Sequence, residues 1–88
     1  MTAIFVPGVA EFEPVWRFAQ GLEGVRTIHH PQGWVEISSS GALEFHRKTL
    51  GIPHAVWFGL PTGGLEGRIV QFDAELLRVE PIASGDQR

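Results

Sequence analysis

Cysteine is absent from the 88-residue chain, which removes disulfides, thiolate zinc sites, iron–sulfur clusters and cysteine nucleophiles from consideration. Asparagine is absent as well, so there is no acceptor for N-glycosylation. Positive charge is scarce: seven Lys or Arg stand against ten Asp or Glu, a formal net charge of −3. A nucleic-acid backbone requires a concentrated positive field, so nucleic acid is not an expected partner. No apolar run approaches the ~20 residues of a membrane-spanning helix. The first residues, Met1 to Gly8, contain none of the basic side chains that open a secretory leader. The expectation is a cytoplasmic protein without membrane contact, cofactor or metal.

What the chain does contain is enough for a packed core. Apolar residues make up 43% and aromatics 10%, with Trp16, Trp34 and Trp57 among them, which argues against general disorder. Glycine and proline number 11 and 6, well above the average share of about 12% for the two together, and such punctuation favours short strands and tight turns. A chain this short buries only ~60–65% of its unfolded surface. Without disulfides or a metal, self-association as a homodimer is the expected source of additional stability. Residues 1–83 read as a single small α+β domain and 84–88 as a disordered tail.

Hydrophobic periodicity supplies the elements. Ile4, Phe5 and Val6 predict a short strand stopped by Pro7-Gly8. Phe12, Val15, Trp16, Ala19 and Leu22 share one face of a 3.6-residue period. Pro14 is tolerated only in a first turn, so the regular helix is expected from about Pro14 to Gln20, with Gly21 as a left-handed cap. Phe18 lies off that stripe and implies either a wide buried face or a partner surface. From Val25 the period becomes two. Val25–His30, Trp34–Ser38 and Ala42–His46 read as three strands, joined by Pro31-Gln32-Gly33 and Ser39-Ser40-Gly41, three-residue loops ending in glycine. In that register His29 opposes Val35 and Thr27 opposes Ile37, while Ile37 opposes Leu43 and Val35 opposes Phe45. The competing reading of 41–50 is a helix with Ser40 as its N-cap. His54–Leu60 is expected as a buried central strand paired with Arg68–Phe72, with Gly67 a bulge or part of the loop. Asp73-Ala74-Glu75 then turns the chain into a last strand, Leu76–Val79. The predicted fold class is α+β: one short N-terminal amphipathic helix packed on an antiparallel sheet of five or six strands, as a meander, sandwich-like or half-open barrel.

The three-stranded register places His30, Trp34 and His46 in one row on the face away from the helix. The outer two would stand ~10 Å apart with the indole between them. That is too far to bind one metal at about 2.1 Å, yet it suits the stacking of a flat small molecule. His29 falls on the core face. Glu36 and Glu44 would oppose each other, which raises one carboxyl pKa toward a general-acid value beside His46. Arg26 lies diagonally from Glu36 and can neutralise it. Thr62–Gly67 is rich in glycine but lacks the Gly-Lys-Ser/Thr ending of a P-loop, so it reads as a hairpin loop. Ser38-Ser39-Ser40 lacks a nucleophile elbow and reads as turn chemistry. The favoured function is a non-catalytic module that docks on a protein partner or on itself. The alternatives are a small-molecule binding protein using His30, Trp34 and His46, and an acid–base enzyme using Glu36 and Glu44.

Overall fold

A computed structural model describes residues 1–82; the expected disordered tail, 84–88, lies outside the described residues. Strand β1 (Thr2–Pro7) is rich in β-branched and aromatic residues, and Pro7 ends it. A 3-10 turn, Ala10–Phe12, leads into helix α1 (Glu13–Gln20), with Pro14 in the first turn as the sequence requires. Val15 and Ala19 are fully buried, while Phe12 and Trp16 pack at the edges of the core. Phe18 extends the buried face, its ring 6.2 Å from that of Phe45. Gly21 follows the helix with φ −87°, so the expected left-handed cap does not form there; the positive-φ glycine is Gly24, three residues further on and just before β2.

Strands β2 (Val25–His29) and β3 (Trp34–Ser39) form the expected hairpin, with Thr27 opposite Ile37 and His29 opposite Val35. The third strand departs from expectation. β1 occupies the free edge of β3 over six residues, pairing Ile4 with Ile37 and Val6 with Val35. Those pairs match apolar side chains as well as Leu43 and Phe45 would, and they extend over a longer register. With both edges of β3 filled, strand β4 (Leu43–His46) crosses into a second sheet, where Leu43 opposes Val79 and Phe45 opposes Leu77. Residues 41–50 are in fact strand first and helix second: one helical turn, α2 (Arg47–Leu50), follows β4 and is closed by Gly51 at φ +69°.

The expected strand over 54–60 is also corrected. Pro53 precedes a helical turn, α3 (His54–Trp57), and a 3-10 turn covers Leu60–Gly63. The reason is helical spacing: Trp57 and Leu60, three apart, are buried, whereas His54 and Phe58, four apart, stack outside with centroids 6.3 Å apart. The indole Nε1 of Trp57 donates to the Asp73 carbonyl at 2.6 Å. Strand β5 (Leu65–Glu66) adds to β1, so the glycine-rich segment is no simple hairpin loop. Strand β6 (Arg68–Phe72) pairs with β7 (Leu76–Glu80) through the turn at Asp73, and the irregularity falls at Val70, between Ile69 and Gln71.

The fold is mixed α+β and mostly sheet; the described residues form seven antiparallel strands divided between a four-stranded sheet, β2-β3-β1-β5, and a three-stranded sheet, β4-β7-β6. One hydrophobic cluster joins Ile4, Val6, Val35 and Ile37 of the first sheet to Leu43, Phe45, Leu77 and Val79 of the second, with Val15, Trp57 and Leu60 from the helical segments. No helix of the described residues is long and apolar enough to cross a membrane.

Candidate functional site: the outer faces of the two sheets

Side chains alternate along a strand, so each sheet presents a second face away from the core. The sheet division separates the residues singled out from sequence. His30, Trp34, Glu36 and Arg26 belong to the outer side of the four-stranded sheet; Glu44 and His46 belong to the three-stranded one. The expected row of His30, Trp34 and His46 therefore does not form, and Glu36 does not oppose Glu44.

On the four-stranded sheet, Glu36 lies between Ile28 of β2 and Phe5 of β1. It accepts a hydrogen bond from His30 Nε2 at 2.9 Å. With a carboxylate as acceptor, Nε2 carries the hydrogen. His30, not the expected Arg26, is thus the partner of Glu36. Trp34 is 41% exposed and Ile28 38% exposed. Phe5, His30, Gln32, Trp34 and Gly63 line an open hollow of about 500 Å³. Gly63 fixes its floor: a Cβ there would collide with the Phe5 carbonyl oxygen and come within 2.7 Å of the Trp34 ring. His29, expected in the core, is exposed and meets the edge of Trp16 at 5.6 Å between centroids.

Phe5, Gln32 and Gly63 went unrecognised in the sequence. Phe5 carried a signal, since it alternates with the core residues Ile4 and Val6. Gln32 sits in the expected hairpin loop between His30 and Trp34, whereas Gly63 carried no signal, because its proximity arises from the chain closing β5 against β1.

On the three-stranded sheet, the outer face is a ladder of opposite charges. Glu44 pairs with Arg78 across the strands at 2.8 Å and with His46 at 2.7 Å, and Arg78 reaches Glu80 at 2.9 Å. The Arg78 guanidinium and then the His46 ring hold the Glu44 carboxyl below its ordinary value, and Glu80 and Glu44 raise Arg78. This is the opposite of the upward shift a general acid requires. Among the described residues, no three His, Asp or Glu side chains group together in a way that holds a metal ion.

The site is defined at this point as an apolar, aromatic sheet face backed by a conventional core. No protein-family model and no curated protein matches the chain.

Proposed function

We propose that the protein is a self-association module that pairs through the outer face of its four-stranded sheet. The observation that carries this reading is the apolar patch of Phe5, Ile28 and Trp34 around the open hollow. An indole 41% exposed, yet wedged against Gly63, is a pre-ordered anchor of the kind that dominates interfaces.

A second copy is the occupant that fits best. The hollow is walled on one side only, so a free small molecule would leave much of its surface wet, whereas ligand pockets bury most of theirs. A facing sheet closes it. The chain carries a net charge of −3, so two copies repel least through a face with few bare charges, and the Glu36 carboxylate on this face is hydrogen-bonded to His30. The other outer face offers, among the described residues, charged side chains matched among themselves. Three strands of five or six residues and the two-residue β5 span at most roughly 19 by 20 Å. That is below the ~800 Å² per partner of a standard interface, so the dimer is expected to be weak and concentration-dependent.

Sedimentation and native mass spectrometry over a concentration series test this. A monomer–dimer equilibrium is expected, abolished by Trp34→Glu and by Ile28→Glu, and untouched by His46→Ala on the other sheet. A monomer at every concentration would overturn the reading, as would a dimer indifferent to both substitutions. A small molecule retained in the native spectrum would assign the hollow to a ligand instead.

A further inference from the structure

A second hollow, of about 350 Å³, opens at the opposite end of the same sheet and is lined by Met1, Gly24, Arg26, Ser38, Ser39 and Ser40. Ser38 and Trp34 are four residues apart on β3, so the two hollows are separated by ~13 Å. We propose that this second hollow binds the phosphate group of a small phosphorylated molecule.

The cation comes first. Arg17, Arg47 and Arg78 each have a glutamate within 4.0 Å. Arg26, like Lys48 and Arg68, has no carboxylate within that distance among the described residues, although acids outnumber bases in the chain. Arg26 lines the hollow, where its fork of N–H donors suits an oxyanion. Among the described residues no acidic side chain lines the hollow to repel an anion.

The hydroxyls come next. Arg26 and Ser38 are direct cross-strand neighbours. Ser38 is only 1% exposed and lines the hollow. Ser39 Oγ accepts the Gly41 N–H at 3.1 Å. That contact occupies a lone pair and leaves the hydroxyl proton free to donate. Ser38 and Ser39 alternate in face at the end of β3 and Ser40 follows it, so the hollow takes in the corner of the sheet, with serines from both of its faces among its lining. A tetrahedral oxyanion accepts from donors on several sides, whereas a carboxylate presents its acceptors in a single plane. The volume exceeds that of a bare ion and leaves room for an organic body.

The test is titration of the full chain with inorganic phosphate and with phenyl phosphate at constant ionic strength, followed by amide chemical shifts. Saturable shifts are expected at Gly24, Arg26 and Ser38–Gly41, with acetate and chloride inert. Tighter binding of phenyl phosphate identifies an organic phosphate as the ligand, and equal binding identifies the free ion. Arg26→Gln should weaken binding by roughly tenfold or more, the scale of a lost charge-assisted hydrogen bond. Ser38→Ala should weaken it less. Arg26 is exposed, so its substitution leaves the fold intact, which the unchanged remainder of the spectrum verifies. Absence of saturation into the tens of millimolar, equal shifts with acetate, or an unaffected Arg26→Gln variant would each overturn the proposal. Arg26 lies on the face proposed to self-associate, so the titration is repeated on Trp34→Glu, which removes the proposed dimer and leaves this hollow open; binding by that variant separates the two readings.

Discussion

At the scale of single residues, Thr2 is the point of greatest tension. It sits in β1 with no exposed surface, and its Oγ1 is buried without a hydrogen-bond partner among the described residues. A buried hydroxyl left unpaired costs about 1–3 kcal/mol relative to its state in water. Valine has nearly the same shape and no hydroxyl to satisfy. Thr2→Val is therefore expected to stabilise the fold by about 1 kcal/mol, which raises Tm by roughly 4–8 °C in a domain of this size. Thermal unfolding followed by circular dichroism decides it, and a lower Tm would mean that the hydroxyl is satisfied in solution. Glu44 illustrates the converse. Its carboxylate is satisfied twice, by Arg78 and His46, and those partners hold its pKa below the ordinary value instead of raising it toward that of a general acid.

At the scale of elements, the turn between β6 and β7 is organised from within by the Asp73 side chain. Asp73 Oδ1 accepts the backbone N–H groups of Glu75 and Leu76, each at 2.9 Å, and Oδ2 accepts from the Gln71 amide at 2.9 Å. The Gln71 bond first, then the two backbone bonds, hold the carboxyl below its ordinary value of 3.8. A carboxyl lowered by folding stabilises the protein above its unfolded pKa, and that contribution is lost as the pH falls through the lower folded value. Asp73→Asn keeps an acceptor for the turn and removes the titration. Urea midpoints of the two proteins should differ by a constant amount near neutrality and converge as the pH drops below 3.8. A gap that persists unchanged into acid would refute this role.

The same scale shows what was legible in the sequence. Helix α1 and the β2–β3 hairpin were readable because their determinants are local: a stripe of apolar residues, Pro14 in the first turn, and a loop closed by Gly33. The turn at Asp73 was readable for the same reason. The β3–β4 pairing was not, because Val35 and Ile37 find equally apolar partners in Val6 and Ile4, and period-two patterning cannot rank distant strands that match alike. The segment from His54 to Leu60 misled through composition. Its aromatic density resembles a buried strand, whereas the spacing of Trp57 and Leu60 is helical. The candidate site inherited the pairing error: residues on β2 and β3 were placed together correctly, and those on β4 were not.

At the scale of the whole molecule, the order of strands makes the first element in the chain the last to be dispensable. β1 is flanked by β3 on one side and β5 on the other, and Ala3, Ile4 and Val6 have no exposed surface. The contacts it makes join residues 2–7 to 34–39 and 65–66, far apart in sequence, so they form only once long loops have closed. β6, by contrast, is an edge strand, interrupted at Val70, with Ile69 and Val70 each 41% exposed. Local opening follows such differences: strands buried on both edges exchange their amides only through global unfolding, while edges open at lower cost. Hydrogen exchange under native conditions should accordingly find the amides of Ile4, Val6 and Ile37 protected close to the limit set by global stability, ~5 kcal/mol or more. The solvent-facing amides of β6 should exchange at least tenfold faster. If β1 exchanged as readily as β6, the N-terminal strand would not be the centre of the sheet, and the outer face that brings Phe5 beside Trp34 would not be assembled in solution.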